Sequence, residues 1–250
     1  MNQKTNTAIE TRSRIVFTQG GKGGVGKTTI ITAFVGWARS KGLDPVLMDF
    51  DFENREKSSL QSFYGEAQKI DIHKPDALDK LFHNLETPGT LVIVDQGAGA
   101  GAETFSWFDR TAEVVAEFAD VTSIGVVTKD PGSVESVLAW AYHLGDRVRY
   151  LIVLNELVRG TGFDAWTGAE PVKAFADHLK PIVIGLQNRN PDFEDMLRGN
   201  ALTLERIIRK DHSVDWFKSL TRIIQARRYQ QEAHEGFEAA AEILLPTIQD

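Results

Sequence analysis

Short, nearly continuous apolar runs recur along the chain at residues 15–18, 45–50, 91–95, 123–128, 150–154 and 181–185. Runs of that length suit strands buried on both faces, the condition of strands in a parallel sheet flanked by helices. Between them, residues 28–39, 76–85, 103–119, 133–144 and 172–179 place apolar side chains at helical spacing, and several of these stretches open on Ser, Asp or Pro. The alternation predicts an α/β fold with a mostly parallel central sheet covered by helices on both faces. Residues 1–13 are polar and read as a flexible tail. Residues 156–170, with Gly160, Gly162 and Gly168, read as an irregular connection, and residues 14–250 as one domain with carboxy-terminal helices from about residue 202.

Composition narrows the chemistry. With 250 residues, 42% hydrophobic and 25% charged, the chain is long and apolar enough for one sizeable core. It has no cysteine, which excludes disulfides, thiolate zinc sites, cysteine-ligated iron–sulfur clusters and thiol catalysis. The polar amino terminus lacks the apolar stretch of a secretory signal, and no apolar run is long enough to span a bilayer. The expectation is a cytoplasmic protein with no integral membrane segment. A net charge of −7 argues against a uniformly basic, nucleic-acid-coating surface.

The first apolar run leads into Gly20, Gly21, Lys22, Gly23, Gly24, Val25, Gly26, Lys27, Thr28 and Thr29, and then into a helical stretch. Gly21 to Thr28 satisfy G-x-x-x-x-G-K-[ST], in which glycines let backbone N–H groups converge on phosphate oxygens at a helix N-terminus. In that motif Lys27 reaches the β- and γ-phosphates of a nucleotide and the Thr28 hydroxyl ligates Mg²⁺. Residues 46–51 form an apolar strand closing on Asp49 and Asp51, whose alternation directs both carboxylates to one side. Two acids capping a strand at the surface would give the same pattern. Residues 91–95 form a second such strand ending in Asp95, followed by Gln96, Gly97, Ala98 and Gly99.

Lys22 narrows the family. Lys22 to Thr28 read K-G-G-x-G-K-T, and the chain thereby resembles the ParA/MinD group of deviant Walker A P-loop ATPases over residues 14 to about 210. The resemblance implies a P-loop NTPase fold and a face-to-face homodimer holding two ATP molecules with Mg²⁺, in which Lys22 reaches across to the partner's nucleotide. It implies nucleotide contacts from Gly21, Lys22, Gly23, Gly24, Val25, Gly26, Lys27, Thr28 and Thr29, with Lys22, Lys27 and Asp51 in catalytic roles. Asp51 would orient the attacking water, Asp49 would lie near the Mg²⁺ shell and Asp95 would hold a Mg²⁺-bound water, giving Thr28, Asp49 and Asp95 as the metal set. The Gly97 or Gly99 amide would sense the γ-phosphate, and Asn155 would meet adenine, although a buried Asn capping a strand fits that position equally. Residues 52–58 depart from the family's continuation, and no match assigns roles to Asn54 or Arg55. Residues 196–202 are similar to the family's segment after the last strand, with Ala201 and Leu202 in place of its proline step.

Absence sorts the members. Without cysteine, the cluster- and metal-handling relatives are excluded, and the four separated tyrosines do not match the tyrosine cluster of the kinase relatives. Residues 229–250 hold five acidic residues and no Lys or Arg, unlike the basic membrane-binding end of MinD-type proteins. Residues 198–228 reverse this, with eight basic against three acidic residues. In ParA proteins such helices bind DNA without sequence preference, which points to Arg206, Arg209, Lys210, Arg222, Arg227 and Arg228; a solvated helical face accounts for the same residues. Trp216, Phe217, Leu220, Ile223 and Ile224 read as the buried stripe of that helix.

The expected function is a slow ATPase that works as an ATP-dependent dimerisation switch. It would partition or position plasmid or chromosomal DNA or another cargo, be stimulated by a partner protein, and associate with the nucleoid if it binds DNA. The D-Q-G pattern is also similar to the TraL-like ATPases of conjugative plasmids. The alternatives are an ATP-dependent ligase of the dethiobiotin synthetase type and an ATP-binding adaptor that has lost hydrolysis.

Overall fold

In the computed structural model, which describes residues 10–51, 59–74 and 79–249, the apolar runs pair into one sheet. In chain order the elements are β1 (Glu10–Thr18), α1 (Lys27–Ser40), β2 (Val46–Asp49), the single-turn α2 (Leu60–Phe63), β3 (Gln68–Lys69), α3 (Lys80–Leu85), β4 (Leu91–Asp95), α4 (Gly101–Phe118), β5 (Ala119–Val127) and α5 (Pro131–Leu144). They continue with β6 (Arg149–Asn155), the single-turn α6 (Asp164–Thr167), α7 (Glu170–Leu179), β7 (Ile182–Leu186), α8 (Pro191–Gly199), α9 (Leu204–Arg209), α10 (Leu220–Ala239), α11 (Ala241–Leu244) and β8 (Thr247–Gln249).

The sheet order is β3-β2-β4-β1-β5-β6-β7, with these seven strands parallel and β8 antiparallel beside the start of β1. β1 is central: the chain leaves it toward β2 on one side and later returns to place β5 on the other. That reversal opens a crevice at the carboxyl ends of the strands, where open α/β sheets take their ligands. The same alternation explains why the strands are apolar throughout. Ile15 and Phe17 pack with Trp107, Trp140 and Phe175 on one face, while Val16 packs with Ile30, Phe34 and Phe237 on the other.

Several boundaries differ from the sequence pattern. β1 starts at Glu10, so residues 10–13, expected in the tail, lie in the strand, with Arg12 opposite Thr247 and Ser13 opposite Ala119; residues 1–9 lie outside the described residues. The β5 ladder likewise claims Ala119, expected as the last residue of a helix. β8 was not foreseen, nor was α6 within the irregular connection.

A third cluster joins α8, α9 and α10 through Phe193, Leu197, Ile207, Phe217, Ala226 and Tyr229. Here the expected stripe is corrected. Phe217 and Ile223 are buried, but Leu220 is 72% exposed and Ile224 56%. The buried face of α10 runs instead through Ile223, Ala226, Tyr229, Ala233 and Phe237, and Leu220 and Ile224 fall on the other side of the helix.

Candidate functional site

The end of β1 and the start of α1 are joined by the glycine loop, which borders a cleft of about 320 Å³. Gly23, Gly24, Gly26, Lys27, Thr28 and Thr29 line it. Gly26 sits at the N-cap of α1 with φ +94°, in the left-handed region, and a Cβ there would stand 2.5 Å from Asn155 Nδ2. Asn155, expected against adenine, ends β6 and donates from Nδ2 to the Val25 carbonyl at 2.8 Å, bracing the loop. Val25 is buried, and the Gly21 N–H donates to the Ala98 carbonyl at 2.7 Å, joining the loop to the turn after β4.

Asp95 is the focus of the hydroxyl network. Thr28 Oγ1 donates to one carboxylate oxygen at 2.7 Å and Thr18 Oγ1 to the other at 3.1 Å, while the Gln96 N–H donates to Thr18 Oγ1 at 2.9 Å. Burial pushes the Asp95 carboxyl up to about 7, against the two hydroxyls, which favour the ionised form; Asp49 adds to the rise. Lys27 folds back so that Nζ donates to the Lys22 carbonyl at 3.0 Å. Burial lowers the Lys27 ammonium below the usual lysine value, with Asp95 and Asp51 pulling it back.

The two aspartates after β2 separate. Asp49, paired in register with Asp95, is fully buried, and its carboxylate accepts from the Asp51 N–H at 3.0 Å, the Gln61 N–H at 2.9 Å and Lys69 Nζ at 3.3 Å. Asp51 lines the cleft. Gly97 lies against it, so that a Cβ on Gly97 would stand 3.0 Å from Asp51 Oδ1 and 3.1 Å from its Cα. Asn54 and Arg55 lie outside the described residues. Lys22 takes no part in the cleft lining. Its Nζ lies 2.9 Å from Asp130 Oδ2, both side chains being nearly half exposed, and Asp130 caps α5 by accepting from the Gly132 N–H at 2.9 Å. The Lys22 ammonium holds the Asp130 carboxyl below the usual aspartate value.

The far end of the cleft was not legible in the sequence. Leu157, Asn188, Arg189, Pro191 and Glu194 line it; the available signal was an Asn-Pro pair, a helix start, just past an apolar strand. The six basic residues on α9 and α10 are unequal. Arg209, Lys210, Arg227 and Arg228 are exposed, and Arg206 and Arg222 are partly buried. Arg206 Nε donates to the Asp211 carbonyl at 3.2 Å, the Arg222 guanidinium lies 3.8 Å from the Trp216 ring centroid, and Arg228 Nη2 donates to Gln187 Oε1 at 3.3 Å.

Thr28 and Asp95 form a pair of hard oxygen donors where the loop meets α1, the chemistry Mg²⁺ prefers when it retains several waters. Among the described residues, no group of three or more His, Cys, Asp and Glu gathers to hold a metal on protein ligands alone. Also among these residues, no helix is long and apolar enough to cross a membrane.

Comparison with known proteins gives the same family. None of the curated proteins matches the chain. Among solved structures, it is similar to the MinC:MinD cell division protein complex of Aquifex aeolicus at 15% identity and a TM-score of 0.54, covering 94% of this chain and 99% of that one. It is similar to the septum site-determining protein MinD complexed with Mg-ADP from Pyrococcus horikoshii at 15% identity and 0.50, covering 92% and 98%. A ParA family ATPase from Chlorobium tepidum matches at 12% identity and 0.50, covering 90% and 99%. At such identities the likeness is one of fold. The family model of the CobQ/CobB/MinD/ParA nucleotide-binding domain matches residues 16–232, and the chain belongs to that family.

Proposed function

We propose that the chain is a Mg²⁺-dependent ATPase that works as a dimerisation switch, with two copies closing face to face over two ATP molecules. The observation that carries this reading is the position of Lys22. The lysine that marks the motif stands outside its own cleft, half exposed and held by a surface carboxylate, where it is free to turn toward a second copy. Lys27 and the loop amides hold the triphosphate, Thr28 and Asp95 hold the metal, and Mg²⁺ there would neutralise phosphate charge. Asp51, on the cleft wall beside Gly97, positions the water that attacks the γ-phosphate. Asp49 acts from behind, fixing the Asp51 backbone through its N–H. Gly97 reports loss of the γ-phosphate to α4. The switch positions a cargo in the cytoplasm and is stimulated by a partner protein. One of the similar structures is a cell division protein complex and another a septum site-determining protein, and a cargo of that kind stands beside DNA as an object of positioning. In the closed state Arg209, Lys210, Arg227 and Arg228, the exposed members of the basic set, lead contact with DNA phosphates.

Sizing the full chain with ATP, with ADP and without nucleotide, alone and with DNA at two salt concentrations, tests this. An ATP-dependent dimer with slow ADP release supports the switch. ADP release that requires a small carboxylic acid, with no dimer, supports a ligase, and a stable ATP dimer that forms no ADP supports an adaptor. DNA retention by the ATP dimer that falls with salt supports the DNA role.

A further inference from the structure

A second cavity, of about 420 Å³, opens at the amino ends of the strands, on the edge of the sheet opposite the glycine loop. Parallel pairing assembles it: Arg12 and Arg14 stand on β1, Asp120 lies opposite Arg14 on β5, and Arg149 opens β6 opposite Thr122. Arg14 is the fixed point, with a side chain only 4% exposed. Its Nε donates to the Leu245 carbonyl at 3.1 Å, and its Nη2 donates to Thr247 Oγ1 at 3.0 Å and the Glu242 carbonyl at 3.4 Å and lies 3.3 Å from Asp120 Oδ2. Arg12 donates from Nη2 to the Ala116 carbonyl at 2.6 Å and from Nε to Asp120 Oδ1 at 3.3 Å. Arg149 is exposed, and among the described residues its guanidinium has neither an ion pair nor a hydrogen bond.

The other charges of the wall have separate places. Arg147 uses all three nitrogens within the protein, on Asp109 at 3.0 Å, the Leu144 carbonyl at 3.0 Å and the His143 carbonyl. Asp146 and Glu242 are exposed at the rim, and among the described residues neither carboxylate pairs with a cation. Three arginines thus converge beside one carboxylate, Asp120. Burial lowers the Arg14 guanidinium below the usual arginine value, and while Asp120 opposes this, Arg149 and Arg12 add to it. An anion among the three relieves that repulsion, and guanidinium forks match phosphate oxygens in shape. A phosphate monoester carries about two negative charges at neutral pH, the number by which the arginines exceed Asp120, whereas a single carboxylate brings one. We propose that this cavity binds a small phosphate monoester whose body carries hydroxyl groups, with Arg12, Arg14 and Arg149 on the phosphate and Asp146 and Glu242 accepting from the hydroxyls. The site is separate from the nucleotide cleft and does not rest on the reading of that cleft.

The probes are ribose 5-phosphate, inorganic phosphate and ribose, titrated calorimetrically at constant ionic strength into the full chain carrying Lys27→Ala, which disables the glycine loop as a competing phosphate site. Ribose 5-phosphate is expected to bind saturably, inorganic phosphate about tenfold more weakly and ribose not measurably. Adding Arg149→Gln weakens both phosphates about tenfold, and adding Asp146→Asn weakens ribose 5-phosphate about threefold without weakening inorganic phosphate. Both substitutions fall on exposed side chains with no partner among the described residues, and circular dichroism and melting curves establish that each variant is folded. No saturable binding of ribose 5-phosphate, or binding that Arg149→Gln leaves unchanged, overturns the site. Equal affinity for ribose 5-phosphate and inorganic phosphate, or indifference to Asp146→Asn, overturns the ester and leaves a site for an adventitious anion only. Because every titration is made with the glycine loop disabled, failure here is distinct from failure of the nucleotide reading.

Discussion

Asp95→Asn separates the stability role of this carboxylate from its role in binding. Asp95 is fully buried, and its carboxyl is pushed from the ordinary aspartate value of 3.8 to about 7. The folded state therefore holds its proton more tightly than the unfolded chain does. The sign follows: the stabilising contribution is fully present below the unfolded value and is lost as pH rises through about 7. Between pH 5 and pH 8 linkage at this one group lowers the stability of the nucleotide-free protein by about 2 to 3 kcal/mol. Asparagine has nearly the same shape and no charge to desolvate, so it removes that dependence while keeping an acceptor for Thr28 or Thr18. Urea denaturation of wild type and Asp95→Asn at the two pH values, without Mg²⁺ or nucleotide, measures the difference of differences, in which the histidines common to both proteins cancel. The wild type should lose stability toward pH 8 and the variant should lose less by that amount. Parallel pH profiles would refute the claim that the carboxylate is buried with its charge uncompensated. In the same variant Mg²⁺ should no longer strengthen ATP binding.

Lys22→Ala should leave ATP affinity within about threefold of wild type and abolish the ATP-dependent dimer, as read by light scattering; a variant that dimerises normally would remove the cross-subunit role. Asp51→Ala should bind ATP and stay closed, with turnover reduced by at least about a hundredfold in a phosphate-release assay. Gly26→Ala places a side chain at φ +94° and displaces the Asn155 amide, so it should weaken ATP binding and lower stability by about 1 to 3 kcal/mol in a denaturant titration. Replacing Arg227 and Arg228 with Gln should weaken DNA retention and shallow the slope of log affinity against log salt by about 2, and an unchanged slope returns both residues to the solvated face.

What could be read in the sequence was what is local in it. The glycine loop is a contiguous string, and its conformation follows from where glycine stands relative to the helix start. Asp49 and Asp95 end apolar strands, so their arrival at the same edge of the sheet follows from parallel pairing. Contacts between distant segments were hidden. Nothing near Lys22 announces Asp130, and Arg189 becomes part of the cleft because β7 lies at the sheet edge beyond β6. The same limit explains Leu220 and Ile224. A helical pattern gives the width of an apolar stripe, but its direction on α10 is set by where Phe193, Phe217 and the sheet lie. The sequence allowed two readings of Asn155 as a strand-end amide, and the hydrogen bond to Val25 is the contact observed.

The central place of β1 has a consequence for how the protein is made. The first strand of the chain finds its neighbours only in β4 and β5, and its amino end is paired by β8. A nascent polypeptide emerging from the ribosome therefore carries its glycine loop long before the strands that hold it are synthesised, and high contact order of this kind slows folding. Competence to grip a phosphate should arise late in translation, once β5 has emerged, so that nucleotide capture by stalled chains of increasing length would date the completion of the sheet.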